Sequence, residues 1–537
     1  MYYKVGWNRQ KIEVKANGLA MFGYGKWSHR AKHTRTDLFA RSICIEQEHT
    51  RSWLIVCCVD LGCMTSAIRL SVEQQLQSHL GEHFDPQLLM LTATHTHSGP
   101  GGCAFEVMYN IPTQGFIPEH VDAIAKAIVD SILQAIDHAQ PTEIAMTLAQ
   151  FDENAEVAWN RSISAYNLNP EIKKVSIHQT HLAVDRQMQL LGFYREQQLE
   201  AVFSLFGVHA TCLGNTLDAH AGDNKGYAAL DFENYLKQKG ISDAVAIFAQ
   251  GTAGDISPHY HGIDQYKRRQ SITGEQEYTY AKNNGLKQSQ LAKNSLQQQA
   301  LSHIKGAIKA RLHYVNFVDV EVDNEFSRGE AVARTSAPCF GTSFIAGTPV
   351  DGRGAAKPII WSMNKLADYV RKQRLQKKDT KDIALYQSQG PKKIVIEAGR
   401  KLVLGQPLTR IPKYLDPLLE EMNRQVKQGI VDNSLMVPEV LPIQLIQIGQ
   451  LVIVCCPGEI TTIAGKRLKQ TVVQYIKDDN ITVWLCSYCN DYMGYITTYE
   501  EYQKQNYESG HTLYGQWTLA AFQSKFKQLT QNMMQAE

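Results

Sequence analysis

Five short apolar runs constrain what this chain can fold into: "WLIVCCV" (Trp53–Val59), "LLMLTAT" (Leu88–Thr94), "AVAIFAQ" (Ala244–Gln250), "LVIVCC" (Leu451–Cys456) and "ITVWLC" (Ile481–Cys486). Near-continuous apolarity of this kind is what strands covered on both faces look like. Between the runs the period changes. In "PEHVDAIAKAIVDSILQAIDHA", Val121, Ile124, Ile128, Ile132 and Ile136 step by three and four, and Pro118 suits a first helical turn. "SAIRLSVEQQLQSHL" (Ser66–Leu80) reads in the same way. Strands alternating with helices predict an α/β layered fold, a mixed and largely buried β-sheet flanked by helices. Strand signals continue to Leu485 with no clear linker or repeat, so one domain is expected over 1–537.

Two stretches break the pattern. Residues 264–299 are rich in Gln, Lys and Asn, which predicts a solvated excursion, a lid with a partly mobile centre. "RKQRLQKKDTKD" (Arg371–Asp382) predicts a second, solvated helical surface.

Composition narrows the function. A net charge of +2 and the lack of aromatic–basic interleaving argue against nucleic acid as a partner. No apolar run approaches the roughly 20 residues that span a bilayer, and the N-terminus lacks the apolar core of a signal peptide. The expectation is a soluble chain, cytoplasmic if Met1 is its true start and secreted if a leader precedes it. The 11 cysteines are odd in number, and Cys57-Cys58 and Cys455-Cys456 sit inside apolar runs. They read as core residues of a reduced protein, and "CSYC" (Cys486, Cys489) as a lone CxxC without a second pair.

The chemistry concentrates where the apolar runs end. "LTATHTHSGPGG" places His95 and His97 after a predicted strand, whose period of two puts both imidazoles on one face. The pair reads either as ordinary loop histidines or as half of a metal site. His209 in "SLFGVHATCLG" also follows an apolar run, and alone reads as a core histidine. Glu459 in "VIVCCPGEITTIAGKRL" opens a predicted helix, where it either answers the helix dipole or reaches a metal. "CNDYMGYITTYEEYQKQNYESG" crowds tyrosines, of which one or two can face a site. "QGTAGDISPHYHG" holds Ser257, but no G-x-S-x-G elbow activates it, so locally it reads as a turn or cap.

Taken together, "ATHTHSGPGG", "NRSISAYNLNP", "HAGDNKGYA", "GDISPH", "FIAGTPVDGRG", "LPIQLIQIGQLVIVCCPGEITTIAGKRL" and "YITTYEEYQKQNYESGHTLYG" resemble the neutral/alkaline ceramidase family, in the same order and from about His95 to Gly515. The resemblance implies a zinc amidase with one Zn2+ per chain, cleaving the N-acyl bond of ceramide to sphingosine and a fatty acid. It implies His95, His209, Glu459 and Tyr495 as zinc ligands, and His97, Arg161, Ser257 and Tyr507 as catalytic residues. Zinc would bring the pKa of bound water from ~15.7 toward ~7 and polarise the carbonyl, and would favour Tyr495 as phenolate. His97 would pass a proton to the leaving amine, and Arg161 and Tyr507 would hold the oxyanion. With a zinc hydroxide as nucleophile, Ser257 is expected to bond a substrate hydroxyl or the zinc-bound water.

Set beside the family, the expectation is a chain without its usual leader or C-terminal immunoglobulin-like domain, and the stretch after the serine motif lacks the cysteines that animal members carry. Three readings follow. They are a ceramidase, a zinc amidase for another N-acyl lipid or N-acyl amino compound, and a non-catalytic zinc- or lipid-binding relative. The first two imply a lipid amide partner and transient contact with a membrane surface.

Overall fold

The computed structural model describes residues 3–46, 51–298, 301–407, 417–430 and 434–535. Its centre is a pair of sheets. The larger has nine strands, eight of them in one path: β1 (Tyr3–Lys11), β2 (Phe39–Glu46), β3 (Trp53–Val59), β4 (Leu89–Ala93), β5 (Gln140–Gln150), β6 (Gln187–Arg195), β7 (Gln198–Leu205) and β8 (Val245–Ala249). They lie in the order β8-β7-β6-β5-β1-β2-β3-β4, with Ser302–His303 pairing onto β5. The outermost pairs, β8/β7 and β3/β4, are parallel and the remainder antiparallel. The second sheet has the order β9 (Ile308–Asn316), β10 (Val440–Ile448), β11 (Leu451–Cys455), β12 (Thr482–Cys486), and only β11/β12 is parallel.

The apolar runs are explained by what lies on each side of them. In β3, Leu54, Val56 and Cys58 join a core shared with Ile446, Ile453 and Trp484 of the second sheet, while Ile55, Cys57 and Val59 join Ile68, Ile124 and Ile128 of the flanking helices. In β11, Leu451, Ile453 and Cys455 face the first sheet, and Val452 and Val454 face Leu468, Phe522 and Phe526. The α/β expectation holds, in the form of four layers: helices, sheet, sheet, helices.

The outer layers are α1 (Ser66–Leu80) and α2 (Pro118–Asp137) over one half of the large sheet, and α3 (Asp223–Gln238) and α4 (Glu275–Gln298) over the other. α5 (Lys357–Gln376) precedes α6 (Thr462–Ile476) and α7 (Thr518–Gln535), which cover the second sheet. Val121, Ile124, Ile128 and Ile132 of α2 are buried as their spacing predicts.

Residues 264–276 are largely exposed, as expected of a solvated excursion, but the remainder of the stretch is packed against the fold. After a short helix, Gln265–Gln270, the 24-residue α4 packs along α3 and buries Asn284, Gln288, Ser289, Ala292 and Leu296. Residue 299, the last of the expected excursion, lies outside the described residues. Arg371–Asp382 joins the end of α5 to the helix Thr380–Gln389, helical and largely exposed as expected. All 11 cysteines are buried and unpaired. No described helix is long and apolar enough to cross a membrane.

Candidate metal centre and its cleft

Three chain segments that leave the sheets bring His95, His209 and Glu459 together. β4 ends at Ala93, and His95 then adopts φ 65°, a left-handed turn. His95 and His97 therefore do meet, with Nε2 atoms 3.1 Å apart, but through this turn and not through strand alternation. His209 follows β7, and its Nδ1 lies 2.9 Å from the Ile256 carbonyl. His95 Nδ1 lies 2.5 Å from the Gly62 carbonyl. With Nδ1–H donated to a carbonyl, each ring turns an Nε2 lone pair toward the same point.

Glu459 supplies the carboxylate. It does not open α6, which begins at Thr462; it sits in a two-residue parallel bridge, Glu459–Ile460 with Tyr495–Ile496. Glu459 and Tyr495 are direct partners in that bridge, so the register itself sets them side by side. Glu459 Oε2 is 2.9 Å from His209 Nε2 and 3.5 Å from His95 Nε2, and the Tyr495 hydroxyl is 3.2 Å from His209 Nε2.

Among the described residues, His95, His209 and Glu459 form a buried group with ligand atoms within 4.8 Å of one another. Two imidazoles with fixed tautomers, a carboxylate and a phenol fit a zinc ion in chemistry. Their spacing also fits, since ligands about 2.0–2.1 Å from a tetrahedral ion lie roughly 3.3 Å apart. Burial favours the neutral acid at Glu459, yet His95 and His209 outweigh it and hold the carboxyl well below its ordinary range. Burial and the Arg161 charge lower His209, which keeps its lone pair free. Burial and then Glu459 raise the Tyr495 phenol well above 10, so its ionisation needs a cation close by.

Two tyrosines that sequence reasoning did not single out complete the carboxylate's surroundings. Tyr492 donates to Glu459 Oε1 at 2.5 Å, and Tyr488 donates to Oε2 at 3.3 Å while stacking on the His95 ring. Both lie in or beside "CNDYMGY", where the crowding of tyrosines was the available signal.

His97 stands behind this group with Nδ1 unpartnered, lowered by burial and by His95 and His209. It fits because Gly23 approaches closely: a Cβ there would lie 2.4 Å from His97 Cγ. Arg161 is held by β-bridge residues, its N–H donating to Asp255 O, and its guanidinium donates to Tyr495 Oη (2.9 Å), Glu508 (2.9 Å), Asp351 (3.2 Å) and Gly254 O (2.9 Å). Ser257 is fully buried and does not line the cleft; its hydroxyl donates to Asp351 Oδ1 at 2.5 Å and accepts from the His259 N–H. Asp351, within the "FIAGTPVDGRG" stretch, thus ties Ser257 to Arg161 and was not picked out from sequence. Burial alone would raise it, but His261 and Arg161 hold it well below its ordinary range. Tyr507 packs edge-on against Tyr495, with ring centroids 5.5 Å apart.

Above these groups opens a cleft with a cavity volume of about 100 Å³. His95, His97, Glu459, Tyr495 and Tyr507 line its polar side, and Phe22, Met108, Phe340 and Phe344 its apolar side. His511, also in the wall, is buried with neither ring nitrogen hydrogen-bonded, another residue the sequence reading missed.

A polar nest at the end of an apolar cleft suits a molecule with a long apolar part and one reactive polar group. Comparison with known proteins points the same way. The family model for neutral/alkaline non-lysosomal ceramidase, N-terminal, matches residues 3–417 and 425–524. The neutral ceramidase of Pseudomonas aeruginosa is 31% identical over 532 residues, covering 98% of this chain and 71% of its own length. The neutral ceramidase of Mycobacterium tuberculosis is 30% identical over 552 residues, with 98% and 77% covered. A structure of a ceramidase complexed with C2 superposes with a TM-score of 0.81 at 28% identity, covering 100% of this chain and 76% of that one. The crystal structure of the Pseudomonas aeruginosa neutral ceramidase gives a TM-score of 0.79 at 28% identity, with 100% and 75% covered.

Proposed function

This chain belongs to the neutral/alkaline non-lysosomal ceramidase family and is a hydrolase of linear amide bonds, and from that premise we propose that it cleaves the N-acyl bond of ceramide, releasing sphingosine and a fatty acid, with one zinc ion held by His95, His209, Glu459 and Tyr495. The observation that carries the reading is the meeting of two tautomer-fixed imidazoles and a buried carboxylate at the floor of an apolar cleft. Zinc bound there supplies Lewis-acid polarisation of the acyl carbonyl and lowers the pKa of water.

The chain's own groups do the remaining work. The apolar wall takes the acyl chain and excludes water. Arg161 holds the Tyr495 oxygen through Nη2, and Tyr507, which lines the cleft, supplies a phenol donor where oxyanion charge develops. His97, neutral and free at Nδ1, carries a proton to the departing amine. Ser257 acts through Asp351, which fixes Arg161; it is a positioning residue in this mechanism, without contact to the cleft.

The test is metal analysis and turnover on wild type and His209→Ala, with ceramide and an N-acyl amino acid assayed side by side in zinc and detergent. Wild type should bind zinc stoichiometrically and turn over ceramide, and His209→Ala should lose both. Retained zinc with an unchanged rate in the variant would remove the ligand assignment. Preference for the N-acyl amino acid would move the substrate, and stoichiometric zinc without turnover of any acyl amide would favour the non-catalytic reading.

A further inference from the structure

α5 presents a face that no described residue covers. Only Ala367 of its 20 residues is buried, whereas Trp361 is 64%, Tyr369 60%, Ile359 51% and Leu366 45% exposed. At about 100° per residue these four fall within a sector of roughly 160°, opposite Ala367. Exposed Lys365 and Lys372 share that sector, and Lys365 lies over the Trp361 ring at 5.8 Å. The inward side is fastened by polar contacts: Asn364 accepts from Thr342 at 2.5 Å, Arg371 donates to Gly390 O, and Arg374 to Glu397. The helix is therefore held firmly in place while its large apolar side chains point away.

The charge on the outward face is one-sided. Lys365 and Lys372 have no acidic partner among the described residues, and the helix's lone acid, Asp368, is paired with Lys393. Contiguous exposed apolar residues mark an interaction surface, and tryptophan, tyrosine and lysine together suit the boundary between lipid headgroups and acyl chains. An aqueous protein partner explains the aromatics less well than the lysine stripe, which complements an anionic surface.

The position fits too. α5 packs against the helix Thr342–Ala346, whose Phe344 lines the cleft, and follows directly on the loop that carries Asp351. A second exposed aromatic pair, Phe105 and Phe116 with rings 5.4 Å apart, flanks the segment that gives Met108 and Tyr109 to the same cleft.

We propose that α5 is an interfacial helix that seats this protein on an anionic lipid bilayer and brings the cleft to a membrane-borne substrate. The proposal rests on the lipid-amide reading above, but its test measures binding without turnover. The whole chain is mixed with phosphatidylcholine vesicles, with and without phosphatidylserine, and co-sedimentation is recorded. Binding should need phosphatidylserine and weaken with added salt. Lys365→Gln with Lys372→Gln should weaken it roughly thirtyfold, about fivefold per lysine. Trp361→Ser should also weaken it, and Trp361→Phe should abolish most of the blue shift in tryptophan emission on vesicle addition. All three variants should turn over a water-soluble short-chain N-acyl amide at the wild-type rate, which reports that they fold. Equal vesicle binding by wild type and the lysine pair, or no binding by wild type, would overturn the proposal. So would a dimer that Trp361→Ser dissociates, since a second copy would then own this face. Vesicle binding as expected with no ceramide turnover would fault the substrate reading and leave the helix assignment standing.

Discussion

Asp351 is where the polar side of the site is held in register. Its two oxygens serve different partners, Oδ1 the Ser257 hydroxyl and Oδ2 the Arg161 guanidinium, and Arg161 in turn reaches the Tyr495 oxygen. In Asp351→Asn one of those oxygens becomes an N–H donor facing another donor. We expect kcat to fall about 10²-fold, the size seen when one preorganised electrostatic contact is lost, with KM little changed. Ser257→Ala should fall similarly. If Ser257 works through Asp351, the double variant loses no more than the worse single one; multiplied losses would mean separate roles. Sequence made Ser257 visible only through its motif. It could not show Asp351, because the two residues are 94 positions apart and nothing local marks that aspartate as chemical. His95 and His97 show the reverse case: the residues were legible, while the strand alternation offered to explain them is replaced by a left-handed turn.

At the scale of elements, α4 is the informative error. Its glutamines and asparagines suggested solvent, yet Asn284 donates to Val157 O, Gln288 donates to Asn284, and Lys225 of α3 donates to Gln288, all buried. A polar network inside a helix pair and a solvated helix have the same composition, so the sequence could not separate them. Gly285 lies at the crossing. A Cβ there would meet Asn224 O at 2.5 Å and Ala228 N at 2.8 Å, both backbone atoms of α3, so the helices would have to part. Gly285→Val should destabilise the fold by about 1–3 kcal/mol or more by overpacking, read as a shifted urea midpoint. Because Asn224 also donates to His209 O at 3.0 Å, zinc affinity should fall with it. Unchanged stability with altered turnover would instead restore a lid. The five strands marked by apolar runs, by contrast, agree within a residue at each end, since apolarity on both faces leaves little ambiguity; the other strands of the two sheets carry no such mark.

For the whole molecule, the run pattern told that strands were covered on both faces but not by what. That one sheet covers another follows only from which alternate residues share a core. The ligands straddle this arrangement, His95 and His209 leaving the large sheet and Glu459 the small one, so the site exists only when both have packed. Burial on this scale also encloses two lysines away from the site. Lys225 donates to Phe206 O and Gln288, Lys392 to Cys339 O and Thr512 O, and burial lowers each to about 7. Between pH ~7 and ~8 the unfolded chain keeps both protons while the folded chain releases them, so stability rises with pH, by at most about 1.4 kcal/mol per unit per lysine. Above that window the 11 buried cysteines, whose thiols burial raises, outnumber the lysines and reverse the trend, because the unfolded chain ionises first. Urea midpoints should therefore climb to about pH 8 and then fall. Lys225→Met should remove about half of the climb, and a wild-type midpoint that is flat or falling between pH ~7 and ~8 would mean that these ammonium groups keep their protons inside the fold.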